Sequence, residues 1–340
     1  MKRSIAIAWG ALLLAGCSQG SSPAPAGPLL DTDAPALGTV TAAASIPCPA
    51  GAAGGASCSR LNVSCPRLDG LGVVVAVSEP AASARATVLL HDNLGGVAFF
   101  DAGFVDAYHA ASFRVVQAQW ASDWEQSDVG IKHAACRYAT LVEWTFANIH
   151  GADRTRGFCA QSWGGGSGGL AYSLTHYRMG DVLDAITVSA GPPFARIDLG
   201  CDPGTAPRAV CAPLSSVPVA YSGGVLSIIS EWEVAPTCGS SAGAPLSEVA
   251  RWQADSVLSP GATLAFPDTS FGAWYCINGA DATLGQGATF LDQASFAEAS
   301  VHCVSGGGGG GQCQGQAPWP SALPDMVADL QTRCVPRHSH

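Results

Sequence analysis

Charged residues are scarce in this sequence, and basic residues are scarcer than acidic ones. Lys and Arg together number 16 against 26 Asp and Glu, which gives a formal net charge of −10. Basic residues do not cluster at any point of the chain. Because nucleic-acid phosphates are bound by such clusters, the composition excludes a nucleic-acid partner.

Long apolar runs and zinc-type cysteine motifs are also missing. The apolar run near the start, IAIAWGALLLAG, is shorter than the roughly 20 residues that a membrane-spanning helix needs. No Cys-x-x-Cys pair or Cys/His cluster has the spacing of a zinc site. We therefore expect neither a metal nor a cofactor.

The first residues have the pattern of a bacterial export signal. Two cations precede the apolar run, and the run ends in LLAGC, which resembles the lipobox of bacterial lipoproteins. We predict a signal peptide at residues 1–16 and acyl chains on Cys17 that anchor the protein to the membrane. Ser18 follows, which by resemblance favours the outer membrane of the cell envelope. A secretory signal with an incidental cysteine is the alternative.

Cysteines are frequent in the rest of the chain. Twelve follow Cys17, an even number in a chain that leaves the reducing cytosol, so we expect most of them to form disulfides. Their connectivity cannot be read from the sequence. The candidate pairs are Cys136–Cys159, Cys201–Cys211 and Cys303–Cys313.

The composition divides the chain into a tether and a domain. Residues 17–64 are rich in Ala, Gly, Pro and Ser, which is typical of a flexible tether. Over residues 65–336, β-branched runs such as LGVVVAVS alternate with helical segments such as GGLAYSLTHYR. This alternation predicts an α/β domain, with a mainly parallel sheet covered by helices on both faces. Residues 197–264 interrupt the rhythm, and we predict a cap or lid there.

The segment FCAQSWGGGSGGLAY, residues 158–172, indicates a strand, a glycine-rich turn and a helix. Serine hydrolases hold their nucleophile at such a turn. Ser162 follows the strand directly, whereas Ser167 satisfies Gly-x-Ser-x-Gly but lies at the start of the helix. We favour Ser162 as the nucleophile, because a serine at the start of a helix, such as Ser167, ordinarily caps that helix. A turn without chemistry is the alternative for both.

Other residues could complete a catalytic site. Asp281 comes two residues after the end of a predicted strand, where the acid of a triad emerges, although capping the next helix is an equal alternative. His302, inside the strand ASVHCVSG, is the candidate base, although most strand histidines only pack or face solvent. The loop HDNLGG and the residue after Ser162 would supply the oxyanion hole, through Leu94 and Trp163.

Several segments together resemble a group of secreted bacterial α/β-hydrolase-like proteins, over about residues 71–330. They are ACRYATLVEW, FCAQSWGGGSGGLAYSLTHY, AITVSAGPPFARIDLGC and NGADATLGQGATF. The resemblance implies an α/β-hydrolase fold and a turn of the form Cys-Ala-x-Gly-x-Ser-Gly-Gly. On that pattern the group's serine falls on Gly164, its first glycine on Ser162 and its late histidine near Trp319 or Pro320. This chain departs from the pattern at both nucleophile and base.

Two functions are compatible with these patterns. The first is a lipid-anchored serine esterase that cleaves acyl or polyester bonds in a small molecule or polymer, using Ser162, Asp281 and His302. The second is a catalytically degenerate hydrolase-fold domain that binds a ligand or a protein partner at the former active site.

Overall fold

The computed structural model describes residues 35–91, 95–211, 216–222, 226, 229, 237–276, 282–304 and 322–337. The described strands are β1 (Thr39–Ile46), β2 (Ser57–Ser64), β3 (Leu71–Ser78), β4 (Ala86–His91), β5 (Phe113–Trp120), β6 (Gly157–Trp163), β7 (Ala185–Ser189), β8 (Ala265–Cys276) and β9 (Ser295–Val304). The described α-helices are α1 (Ala102–Ala110), α2 (Ile131–Thr145), α3 (Gly165–Tyr177), α4 (Ile197–Cys201), α5 (Leu246–Asp255), α6 (Ala282–Leu291) and α7 (Leu323–Arg333).

The strands form one sheet in the order β1-β2-β3-β5-β4-β6-β7-β8-β9. The pairs from β1 to β3, and β3 with β5, are antiparallel, while all pairs from β5 to β9 are parallel. β4 and β7 are buried along their whole length, as expected for parallel strands with both faces covered. The predicted α/β class is confirmed. In such sheets, ligands bind at the carboxyl ends of the strands.

Alternate residues of β6 point to opposite faces of the sheet, and this assigns each helix to a face. Phe158 and Ala160 belong to the core that includes α2 and α3, whereas Cys159 belongs to the core that includes α1 and α7. By the same alternation, Ser162 faces α2 and α3. Trp163 faces the side of α1 and α7.

The structure corrects the second half of the predicted tether, residues 17–64. Residues 39–46 and 57–64 are β1 and β2 of the central sheet, so the folded domain begins well before residue 65. Leu61 and Val63 are buried in the main core. The segment folds because β2 alternates buried and exposed side chains, a period that the Ala- and Gly-rich composition around it obscures.

All eleven described cysteines are disulfide-bonded, in agreement with the prediction that most of them are paired. The predicted pairs Cys136–Cys159 and Cys201–Cys211 are wrong, and Cys303 does not pair with Cys313. Cys136 and Cys159 lie on opposite faces of the sheet, so no bond could join them. The bonds between described residues are Cys48–Cys58, Cys65–Cys136, Cys159–Cys334, Cys201–Cys238 and Cys211–Cys303.

Residues 197–264 lie between β7 and β8, and their described part packs against the α2 face. The Asp255 carboxylate, at the end of α5, accepts hydrogen bonds from the backbone N–H groups of Ile131 at 2.6 Å and Lys132 at 3.2 Å. An acceptor at this position satisfies the free donors at the start of α2. This contact fixes the end of α5 to the domain, and the role of residues 197–264 as a lid stays a prediction.

Candidate functional site

A single residue forms the turn between β6 and α3. β6 ends at Trp163 and α3 begins at Gly165, and Gly164 between them has φ 55° and ψ −125°. A residue with a Cβ atom adopts this conformation only under strain, whereas glycine does so freely. In α/β-hydrolases the nucleophile occupies this strained position of the strand-to-helix turn. Here glycine holds it, and glycine has no side chain to attack a substrate.

Ser162, the predicted nucleophile, lies two residues before the turn, inside β6. Its side chain is fully buried, and Oγ donates a hydrogen bond to the carbonyl oxygen of His91 at 2.7 Å. α3 covers it closely, since a Cβ atom on Gly166 would come within 2.2 Å of the Ser162 Oγ. The hydroxyl is thus beneath the turn and not at its surface, a position that does not favour attack on a substrate, and the assignment of Ser162 as the nucleophile stays a prediction.

Ser167, the alternative nucleophile, is the third residue of α3. Its Oγ donates to the carbonyl oxygen of Gly164 at 2.5 Å, and its backbone N–H donates to the same oxygen at 3.0 Å. The residue is fully buried. Its hydroxyl supports the start of the helix, although the cap position itself belongs to Gly164.

His302, the predicted base, lies on β9, away from the turn. Its ring stacks on Trp274 with a centroid distance of 4.1 Å, and its Nε2 is 2.8 Å from Ser300 Oγ and 3.6 Å from Asp329 Oδ1 on α7. Three strand spacings, about 14 Å, separate β9 from β6. Because Ser162 faces α2 and α3 whereas His302 faces α7, the structure does not bring them together.

The other predicted site residues give less information. Asp281, Leu94 and Cys17 lie outside the described residues, so their assignments stay predictions. Trp163 is the last residue of β6, in register with Ser189 of β7. Since the turn residue is Gly164, the position after the nucleophile, which supplies an oxyanion donor in hydrolases, belongs to Gly165 and not to Trp163.

His91 forms a buried platform under the turn. Its Nε2 accepts a hydrogen bond from the Trp120 indole N–H at 2.6 Å, and its ring packs edge-on against Tyr138 at 4.4 Å. A Cβ atom on either Gly96 or Gly166 would come within 2.4 Å of the ring. Burial lowers the pKa of His91 to about 3, so the ring is neutral. These contacts make His91 a structural residue.

Glu125 is a buried carboxyl group beside this platform that the sequence patterns did not indicate. Its Oε1 accepts a hydrogen bond from the backbone N–H of Gly95 at 3.3 Å. Burial raises its pKa to about 8, and the neighbouring Asp123 contributes in the same direction. Glu125 is therefore protonated at neutral pH. A single glutamate in a loop gives no sequence signal of burial, so only the fold reveals it.

The described residues contain no group of three or more His, Cys, Asp or Glu side chains arranged to hold a metal ion. No helix within the described ranges is both long enough and apolar enough to cross a membrane.

No known protein family and no curated protein matches this sequence. Among solved structures, brefeldin A esterase, a bacterial homologue of human hormone sensitive lipase, is similar with a TM-score of 0.51 at 16% identity, over 87% of this chain and 81% of that chain. Carboxyl esterase 2 from the mycorrhizal fungus Tuber melanosporum gives a TM-score of 0.49 at 12% identity, over 84% and 90% of the two chains. EstE1, a thermophilic carboxylesterase from a metagenomic library, gives 0.47 at 12% identity, over 82% and 90%.

Identities this low carry information about the fold and not about the reaction. The mostly parallel sheet, the helices on both of its faces and the likeness to brefeldin A esterase agree with one another. The chain has an α/β-hydrolase fold.

Proposed function

We propose that this chain is a hydrolase-fold domain that has lost catalysis and binds a ligand or protein partner at the carboxyl edge of its sheet. The observation that carries the proposal is the glycine at the strained turn, Gly164. A covalent mechanism needs a side-chain nucleophile at that position, and glycine supplies none.

The surroundings of the turn support the same proposal. Ser162 and Ser167, the nearest hydroxyl groups in sequence, are buried and donate to backbone carbonyl groups. A serine hydroxyl also needs a base to become nucleophilic. Segments 92–94, 277–281 and 305–321, which follow β4, β8 and β9, contain no histidine in their sequence. His302 faces α7, on the opposite side of the sheet from Ser162.

The ligand that we propose is a compound with an acyl or ester group, bound without cleavage. This part of the proposal is supported only by the likeness of the fold to brefeldin A esterase. An active serine esterase that uses Ser162, Asp281 and His302 is the competing function. It requires a rearrangement that exposes the Ser162 hydroxyl, which is held by the His91 carbonyl oxygen.

Hydrolysis of p-nitrophenyl butyrate distinguishes the two functions. We expect no turnover beyond a weak background, and the same background in Ser162→Ala and Ser167→Ala, because neither hydroxyl takes part. Loss of a catalytic serine lowers the rate of a working triad by orders of magnitude. A high rate that collapses in Ser162→Ala, with circular dichroism unchanged, would establish the esterase.

We also propose that the domain is held at the bacterial outer membrane by acyl chains on Cys17. The support is the sequence LLAGC at the end of the export signal. In Cys17→Ser, we expect the protein to leave the membrane fraction. Ser18→Ala is the matched control and should stay in it. A Cys17→Ser protein that remains membrane-bound contradicts the anchor.

A further inference from the structure

β9 is the outermost strand of the described sheet. It pairs with β8 on one side, and no other strand in the described ranges pairs with its second side. Nine of its ten residues are exposed or half-exposed, and Val301 keeps 44% of its surface. The backbone groups along such an edge are ready to pair with another strand.

Within the described residues, the two edges of the sheet differ in how regular their strands are. The register of β1 against β2 shifts between Ala42 and Ser45, and such an irregularity disrupts pairing along an edge. From Glu298 to Val304, β9 pairs with β8 without a shift. Its sequence, SFAEASVHCV, contains neither proline nor lysine, the residues that commonly block edge pairing.

We propose that β9 pairs with β9 of a second copy of this chain, antiparallel, about a two-fold axis that passes at Ser300. A two-fold pair places residues of the same face opposite each other. An axis at Ser300 puts Glu298 of each copy opposite His302 of the other copy, so the contact occurs twice in the dimer. An axis at Glu298 would instead oppose two carboxylates, which is unfavourable. The complementarity of Glu298 and His302 thus selects both the occupant and the register.

The two side chains are accessible for this contact. Glu298 is 55% exposed and His302 is 35% exposed, and both lie on the α7 face. Among the described residues, the ion-pair contacts of the Glu298 carboxylate are long, 3.7 Å to Arg333 and 3.8 Å to Arg337, so it can accept further hydrogen bonds. On the other face, the same register opposes Ala299 to Val301 of the second copy, a small apolar pair.

Substitutions that change the charge at Glu298 and at His302 test the register. The full-length chain, in a non-ionic detergent, is examined by sedimentation velocity. We expect a dimer for the unaltered chain and about tenfold weaker dimer affinity for Glu298→Lys and for His302→Glu, because each loses two symmetric pairs. An equimolar mixture of the two variants should dimerise again, since the introduced lysine then faces the introduced glutamate across the mixed interface. Asp128→Lys, an exposed charge change away from β9, should keep the dimer.

The mixing step separates association from folding. A variant could lose the dimer because its own fold is damaged, for example through repulsion between a glutamate at position 302 and Asp329. Such a variant would not form dimers when it is mixed with the variant that carries the other change. Circular dichroism checks each variant alone. A monomeric unaltered chain, a dimer that tolerates both substitutions, or a mixture that stays monomeric would each overturn the proposal.

Discussion

Two histidines mark two regions of this sheet that differ in almost every physical property. His91, under the β6 turn, is fully buried, hydrogen-bonded to Trp120 and closely approached by Gly96 and Gly166. His302, on the edge strand, is one-third exposed and stacked on Trp274. A histidine can serve as a base only where its ring meets both the nucleophile and the substrate. Neither ring meets both. His91 is buried beneath the turn, and His302 is three strands away from β6, on the opposite face of the sheet from Ser162.

The same difference in depth applies to the positions at the β6 turn. The position of a residue along a strand determines its face, and its distance from the strand end determines its depth. Ser162 is one residue before the end of β6 and points into the core. Gly164 is one residue past the end, in the strained backbone conformation of the turn. A shift of two residues therefore separates the buried Ser162 hydroxyl from the turn position that holds the nucleophile in α/β-hydrolases.

Glu125 should give the largest effect in the buried region. Its pKa is raised from 4.5 to about 8 in the folded chain, so the folded state keeps a proton that the unfolded state releases between these values. Stability should therefore fall as pH rises from 4.5 to 8, at roughly 1.4 kcal/mol per pH unit, and level off above pH 8. In Glu125→Gln this component should vanish. Urea unfolding at several pH values, compared between the two proteins, measures it.

His91 acts in the opposite direction in the same experiment. Its pKa is lowered from 6.5 to about 3, so it adds stability that is lost as pH falls below 6.5. Both the unaltered chain and Glu125→Gln contain His91, so its contribution drops out of the difference between their free energies of unfolding. A difference that does not change with pH would show that Glu125 is not buried as a neutral acid.

Crowding under the turn gives the next effect. Gly166→Ala would place a Cβ atom 2.2 Å from Ser162 Oγ and 2.4 Å from His91 Nδ1. We expect a loss of about 2–3 kcal/mol in the free energy of unfolding. Gly54→Ala, where nothing lies within 4 Å of the new atom, should change it by less than about 0.5 kcal/mol. Equal values for the two variants in urea unfolding would contradict the packing around His91.

Single side-chain deletions should give the smallest effects and still separate the two regions. Ser162→Ala removes a buried hydrogen bond to the His91 carbonyl oxygen and should cost about 1–2 kcal/mol. His302→Ala removes a partly exposed ring from Trp274 and should cost about 1 kcal/mol or less. Thermal unfolding of both variants measures the difference. A larger loss for His302→Ala would reverse the order of the two regions.

The elements with a strong period could be predicted from the sequence. LGVVVAVS forms β3, and FRVVQAQW forms β5, because β-branched and aromatic residues favour strands. β1 and β2 were missed because small residues surround a short alternating pattern. Composition averaged over the whole predicted tether conceals a period that extends over only one strand.

The candidate site was harder to predict than the fold. Sequence spacing alone favours Ser162, because the apolar pattern of the strand ends at Gln161. In the structure, β6 continues to Trp163. The resemblance to hydrolase-like proteins had placed the nucleophile position at Gly164, and the backbone angles there agree with it. The disulfide partners also required the structure, because the face of each cysteine depends on strand register and not on separation in sequence.

Covalent labelling of the turn tests the central claim most directly. The purified chain is treated with a fluorophosphonate, digested and mapped by mass spectrometry, with circular dichroism to show that it is folded. Because Gly164 holds the nucleophile position and both neighbouring hydroxyl groups are buried, we predict no label on the peptide that spans residues 157–178. Stoichiometric label on Ser162 that disappears in Ser162→Ala and in His302→Ala would contradict the account and establish a working esterase.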